Sequence, residues 1–464
     1  MSLCHVAAVL SLSLLVACGS DPAEKSATPA AGGYQVSGGF LHDPDGRVVV
    51  LRGVNLASAH KSGPDHLGFH QPADYARVHD EFGMNSIRFL VSWAGIEPKE
   101  GVFDEAYLDE LAKRMDWAEE AGLSVVLDMH QDVYGEGFGY NGAPRWACDE
   151  ANYASFEPGE SWFFDYLKPE VTACVDEFWA GGKAQDHYVG AWQKLAQRLV
   201  SRRAIVGFDV MNEPYWGSTA IGEFETEKLQ PFYERVVKAV RTVAPQWVAF
   251  LEPAASSNLG VPTGLTTMPF PNVVYAPHLY NRDAELGNGF DPTMREQLMR
   301  HAALLRDEAD SLGAALWIGE YGGTTGSPGF SEYMDAACDG MSGGLASGMY
   351  WSYDRDGGYG VLNEDGSEKP NLLDAIVRPY PELVAGRPVA MAFDEATRVF
   401  TFEYLPEGGG ETVLSAPRRV YPDGFKVACD DCQYEEREGR LVITSAPKSS
   451  PAKVTLSAKP TSAP

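Results

Sequence analysis

Two glutamates stand where apolar runs give way to loops. One is in Asn212-Glu213-Pro214, after the run Val206 to Asn212. The other is in Gly319-Glu320-Tyr321-Gly322, after the run from Ala315. A carboxylate at the end of a buried apolar run is costly without a partner or a purpose. Either residue alone reads equally well as half of a structural ion pair. Two carboxylates facing each other about 5–5.5 Å apart have a specific chemical use, which is cleavage of a glycosidic bond with retention. One must be protonated to serve the leaving oxygen, and the other ionised to attack the anomeric carbon.

Other apolar runs end in the same way. Arg88 lies in Ser86 to Trp93. Asp128-Met129-His130-Gln131-Asp132 closes the run from Ser124. Pro277-His278-Leu279-Tyr280 closes that from Val273, and Tyr350-Trp351-Ser352 that from Gly348. Arg88 beside one carboxylate would favour its ionised form, and Asn212 would bind a sugar 2-hydroxyl. Lys61 and Asp132 are a charged donor and acceptor for sugar hydroxyls. Trp146 and Trp351 offer flat apolar faces to pyranose rings. The alternatives are a solvated loop charge for Lys61 and a packing anchor for Trp146.

These residues need elements to position them. Val- and Ile-rich runs alternate with stretches of helical period. Strands are predicted at 48–55, 86–93, 124–130, 206–212, 248–252, 273–278, 315–320 and 348–353. The helices between them include 72–82, 105–121, 188–201, 227–243, 293–312 and 331–341. Asp104 is a plausible N-cap and Gly122 a C-cap. Eight β–α beats predict an α/β fold, a closed (β/α)8 barrel over 34–380 with its chemistry at the C-terminal strand ends. A doubly wound open sheet is the rival, weakened by the lack of a Gly-rich turn after the first strand. Beyond Pro379, short runs at 399–404, 412–414, 419–420, 425–427, 441–444 and 452–456 predict a small antiparallel β-sandwich over 381–464.

The connection from Val133 to about Gln185 far exceeds an ordinary βα loop. It holds Tyr134, Phe138, Trp146, Trp162, Phe163, Phe164, Tyr166 and Trp179. It reads either as a self-packed cap or as an apolar wall for lipid chains, each buried methylene contributing about 0.8 kcal/mol.

Taken together, Arg88, His130, Asn212-Glu213-Pro214, the His278/Tyr280 pair, Glu320 and Trp351 resemble the clan A glycoside hydrolases, family 5 in particular. A narrower resemblance rests on Asn55-Leu56-Ala57-Ser58-Ala59-His60-Lys61-Ser62, on Leu127-Asp128-Met129-His130-Gln131-Asp132 and on Asn141-Gly142-Ala143-Pro144-Arg145-Trp146. With the extra C-terminal domain, these look like endoglycoceramidases and endo-galactosylceramidases, which cut the β-bond between an oligosaccharide and ceramide. The resemblance implies that Glu213 is the acid/base and Glu320 the nucleophile. It implies that Lys61, His130, Asp132, Trp146, Asn212, Tyr280 and Trp351 line the sugar sites, and Arg88 and His278 are counted with this substrate-binding set. His60 departs from the pattern, which expects a small residue there.

The chain carries 65 acidic and 37 basic residues, a formal net charge of −28. A phosphate backbone would be repelled, which argues against a nucleic-acid partner. The expected partner is a glycosphingolipid, with peripheral membrane contact. No metal-ligand or cofactor motif accompanies the candidate residues, and the chemistry requires none. The apolar run Val6 to Val16 is too short to span a bilayer and reads as a signal peptide over 1–17. Leu15-Val16-Ala17-Cys18 resembles a bacterial lipobox. Cys18 is then a lipidation candidate at the head of a flexible tether, 18–33, and simple secretion is the alternative. Cys148 and Cys174 bracket the long loop and are expected to form a disulfide. Cys429 and Cys432 suit a short local disulfide better than a metal site, and Cys338 a buried thiol.

The sequence therefore predicts an exported retaining endo-β-glycosidase acting on glycosphingolipid. A β-1,4-glucanase on the same barrel and a non-catalytic, lipid-anchored glycan-binding protein are its rivals.

Overall fold

A computed structural model describes residues 33–57, 60–61, 63–407, 410–430 and 432–459. The candidate signal sequence, Cys18 and nearly all of the tether lie outside the described residues, as do Ser58, Ala59 and Ser62. No described helix is long and apolar enough to cross a membrane.

Three short strands come first: β1 (Gln35–Ser37), β2 (Phe40–His42) and β3 (Val48–Val49). The barrel strands follow: β4 (Arg52–Leu56), β5 (Ser86–Val91), β6 (Ser124–Met129), β7 (Ile205–Asp209), β8 (Val248–Leu251), β9 (Val273–Tyr275), β10 (Ala315–Tyr321) and β11 (Ser347–Tyr350). They form a closed parallel barrel in which β11 returns to β4. The run expected as one strand over 48–55 divides between β3 and β4, which belong to different sheets.

Strand alternation explains why the site sits where it does. Val125, Leu127 and Met129 of β6 point outward into the core shared with the helices. Val126 points into the barrel, among Leu51, Val206, Val248, Phe250 and Trp317. A period of two then places the next inward side chains one layer higher. Asn55, Asp128 and Glu252 occupy that layer above Leu51, Val126 and Phe250, and Arg88 projects between the outward Ile87 and Phe89. An apolar plug thus fills the lower barrel, and a fully buried polar layer lies on it.

The helices follow their signals. Asp104 accepts from the Tyr107 N–H at the start of Glu105–Glu120, and Gly122 takes a left-handed φ of 75° just beyond its end. The helix expected over 188–201 begins earlier, at Lys183–Leu199. The long connection folds into a cap containing helices Glu150–Ser155, Trp162–Asp165 and Pro169–Trp179. The Cys148–Cys174 disulfide ties it together across a Cα–Cα distance of 5.5 Å.

After the barrel come β12 (Tyr380–Val384), β13 (Gly386–Asp394), β14 (Val399–Pro406), β15 (Glu411–Ser415), β16 (Phe425–Cys429), β17 (Gln433–Arg437), β18 (Arg440–Thr444) and β19 (Ala452–Ala458). They make two antiparallel sheets with a common core around Phe400, Phe402, Leu414, Leu441 and Val454. The strand expected at 419–420 is instead a turn. The larger sheet recruits β1, β2 and β3, with Leu383 and Val384 of β12 paired to Val49 and Val48. Cys429 and Cys432 are disulfide-bonded, and Cys338 is a free, buried thiol. The sandwich touches the barrel through Ser415, whose hydroxyl donates to the Gly83 carbonyl at 2.7 Å.

Candidate active site

A cleft of about 310 Å³ opens at the C-terminal end of the barrel. Lys61, His130, Asp132, Asn212, Glu213, Tyr280, Glu320 and Trp351 all line it. Carboxylate oxygens of Glu213 and Glu320 lie within 4.8 Å of each other. That spacing suits direct attack with retention and leaves no room for the water that an inverting pair must hold.

Glu320 is held from two sides. Arg88 donates from Nη1 to its Oε1 at 2.7 Å, and the Tyr280 hydroxyl donates to its Oε2 at 2.9 Å. Arg88 is fully buried. It also donates to Asn55, Asp209, Asn212 and Glu252, and its Nη2 lies 3.1 Å from Asp128. A buried guanidinium persists only with partners of this kind.

Glu213 follows β7 with a φ of 41°, a left-handed conformation that disfavours side-chain-bearing residues. Its own N–H donates to Glu252 Oε2 at 2.8 Å. Gln131 Nε2 donates to the carbonyls of Asn212 and Glu213 at 2.9 and 3.1 Å. The Glu213 carboxylate accepts from Asn258 Nδ2 at 2.6 Å and from His278 Nδ1 at 2.9 Å. Burial alone would raise its pKa, but the bond and charge of His278 and the bond from Asn258 outweigh burial and hold it down to about 2. His278 moves the opposite way. Burial favours its neutral form, yet Glu252, Glu320 and Glu213 around it keep it well above the usual histidine value. Between the two, the proton is therefore favoured on His278 over Glu213.

On the opposite wall His130 lies 2.7 Å from Asp128 through Nδ1 and stacks on Trp351, with centroids 5.4 Å apart. Burial, with the charge of Lys61 adding to it, lowers His130 to about 3. The ring is neutral at ordinary pH, and with Nδ1–H directed to Asp128 its Nε2 is an acceptor for a sugar hydroxyl. Lys61 pairs with Asp132 at 2.6 Å and lies over the Trp351 ring at 4.8 Å. A flat face flanked by a charged donor and acceptor suits a pyranose ring.

Three sequence expectations are corrected. Trp146 is not in the cleft. It sits in the turn Arg145–Ala147 just before the Cys148–Cys174 bridge and faces inward, 5.6 Å from Trp93, with Nε1 donating to the Glu97 carbonyl. Arg88 and His278 do not line the cleft either. They are almost fully buried in its floor and hold the carboxylates instead. His60 turns away from Lys61's partners, its Nδ1 donating to the Leu90 carbonyl at 2.9 Å and its ring packing on Phe89.

Sequence reasoning missed Asn55, Asp209, Glu252 and Asn258 as parts of the floor. Asp209 and Glu252 carried a usable signal, since each is an acidic residue closing an apolar strand, as Glu320 is. It also missed Arg282, Glu285 and Tyr359 in the cleft wall. Among the cap's aromatics, Tyr134, Phe138, Tyr166 and Trp179 are buried, Tyr166 against Tyr215 and Trp179 against Phe224 and Phe232. Trp162 and Phe163 reach the cleft, with Leu286 opposite. A separate, small apolar cavity of about 40 Å³ beneath the cap shares only His130 with the cleft.

A parallel eight-stranded barrel with two carboxylates this close at its mouth is the framework of a retaining glycoside hydrolase. The chain belongs to glycosyl hydrolase family 5. Residues 43–357 match the family model described as cellulase (glycosyl hydrolase family 5), and residues 378–457 match the glycoside hydrolase family 5 C-terminal domain. The chain is 28% identical over 436 residues to endoglycoceramidase I of Rhodococcus hoagii (strain 103S), covering 88% of this chain and 85% of that protein. It is similar to two solved structures of endo-glycoceramidase II from Rhodococcus sp. One is the lactosyl-enzyme intermediate, with a TM-score of 0.81 and 31% identity, covering 91% of this chain and 100% of that one. The other is the complex with ganglioside GM3, with a TM-score of 0.81 and 30% identity, covering 91% and 99%.

Proposed function

We propose that this glycoside hydrolase is an endo-β-glycosidase that releases the intact glycan of a glycosphingolipid from its ceramide. One observation carries the reading. The likeness to proteins named endoglycoceramidases runs through both domains, and the cleft joins a polar floor to an apolar rim of Trp162, Phe163 and Leu286.

In this reading Glu320 attacks the anomeric carbon as the bond to the ceramide oxygen breaks. Glu213 delivers the proton to that oxygen, drawing it from His278 across their 2.9 Å bond. A water then adds to the anomeric carbon, Glu213 takes its proton, and Glu320 leaves as a carboxylate. Lys61, Asp132, His130 and Trp351 hold the sugars. The long apolar rim separates this reading from that of a polysaccharide hydrolase.

Peripheral membrane contact belongs to the same proposal. Trp162, Phe164, Leu167 and Leu286 are 46%, 58%, 61% and 54% exposed. A rim of this kind suits a lipid surface. Export, with acylation at Cys18, rests on the Leu-Val-Ala-Cys sequence, and mass spectrometry of the mature N-terminus tests it.

Thin-layer chromatography of digests tests the substrate. Ganglioside and lactosylceramide should yield free oligosaccharide and ceramide, and cellohexaose should stay intact. Cleavage of cellohexaose with no release from either glycolipid would overturn the reading. Galactosylceramide in the same series reads the head-group preference.

A further inference from the structure

Glu252 lies just past β8, 2% exposed, and does not line the cleft. Its two oxygens face different halves of the site. Oε2 accepts the N–H of Glu213. Oε1 accepts from Arg88 Nη2 at 2.9 Å and lies 3.3 Å from His278 Nε2, a charge contact rather than an aligned hydrogen bond. The Glu252 carbonyl is itself fixed by the Tyr233 hydroxyl at 2.8 Å.

We propose that Glu252 is a positioning residue for proton delivery, tying the strained backbone of Glu213 and the imidazole of His278 to the arginine that holds Glu320. The inference rests on the acid/base role given to Glu213.

Three features support it. The left-handed φ of Glu213 is a conformation that surrounding structure must impose, and an N–H directed at a buried carboxylate imposes it. Without that bond Glu213 could relax, and its carboxyl would leave the line to the glycosidic oxygen. Such displacement of a general acid is damaging even when small. His278 is faced by Glu213 and Glu320 on its Nδ1 side, by Glu252 on its Nε2 side, by the Tyr280 ring at 6.3 Å, and by the Asp128 charge beneath. Glu252 stands first among the charges that keep His278 protonated. Arg88 completes the link, because one guanidinium touches both Glu252 and Glu320.

The test uses leaving groups. Dinitrophenolate departs without a proton, whereas a ceramide alkoxide does not. First-turnover rates are measured for Glu252→Gln on 2,4-dinitrophenyl β-lactoside and on lactosylceramide, with Glu213→Gln alongside. Glu252→Gln should lose about 10²-fold on lactosylceramide and less than about threefold on the aryl lactoside. Its alkaline limb on lactosylceramide should move to lower pH, because the charge sustaining the His278 proton is gone. Glu252→Asp keeps the charge but withdraws it by one methylene. It should show the same selective loss with a smaller pH displacement, and it serves if the glutamine variant does not fold. Equal losses on both substrates, or no loss on either, would overturn this inference if Glu213→Gln is still selective. A non-selective Glu213→Gln would overturn the acid/base reading, and this inference with it.

Discussion

Arg88 holds Glu320 at 2.7 Å through one terminal nitrogen while its other terminal nitrogen reaches Glu252 and Asn212, the neighbours of Glu213. One planar guanidinium therefore sets the spacing between both carboxylates. A fork can do this and a point charge cannot. The net result is a rigid frame under a cleft whose upper walls are built from loops.

Glu320→Gln keeps the size of the side chain and removes the nucleophile. Turnover of lactosylceramide should be abolished, with an unchanged circular-dichroism spectrum. Normal turnover by that variant would end the assignment of Glu320.

Arg88→Lys should lower stability as well as activity. Lysine replaces five fixed donors with one flexible ammonium, leaving Asp128, Asp209 and Glu252 short of partners in a buried layer. Breaking a buried charge network of this kind costs about 3–5 kcal/mol. A clear fall in the urea midpoint checks this. A midpoint equal to wild type would mean that the carboxylates have other means of compensation.

Much of this frame was legible in the sequence because barrel geometry makes strand ends special. His130, Asn212, Glu213, Tyr280, Glu320 and Trp351 each end or closely follow an apolar run, and the fold brings all six to one mouth, with Arg88, from within its own run, in the floor beneath them. What the sequence hid was orientation and long-range partnership. Trp146 and Trp351 look alike as exposed aromatic platforms, and only the bridged turn around Cys148 directs Trp146 inward. Arg88 meets Asp209, Glu252 and Glu320 across separations of 121, 164 and 232 residues, which periodicity cannot register. The same limit hid the pairing of β3 with β12, a contact between the segment before the barrel and the one that follows it.

The cap should govern the choice of aglycone. Trp162 and Phe163 reach the cleft, and Arg282 lies 3.9 Å over the Phe163 ring. Replacing both aromatics with serine removes apolar surface worth about 1.5–3 kcal/mol each when fully covered. KM for lactosylceramide in detergent micelles should rise at least tenfold, while kcat/KM for an aryl lactoside should change less than threefold. Equal changes on the two substrates would sink the aglycone role of the rim.

Acid stability offers a further test, through two histidines that take no part in the chemistry. His60 and His70 are buried side by side, with ring centroids 5.3 Å apart. Burial lowers both below the usual value, most strongly for His60, where the neighbouring His70 adds repulsion. Below about pH 6.5 the unfolded chain binds protons at these positions that the native chain does not, so stability must rise with pH there. The contribution is fully present above about pH 6.5 and is lost as pH falls from there toward the native values. Each such histidine contributes up to about 1.4 kcal/mol per pH unit. His60→Gln can keep a bond to the Leu90 carbonyl but cannot titrate. Its unfolding free energy should therefore fall less steeply than that of wild type between pH 6.5 and 5. Parallel slopes for the two proteins would show that His60 takes up its proton without unfolding, which its buried position on Phe89 argues against.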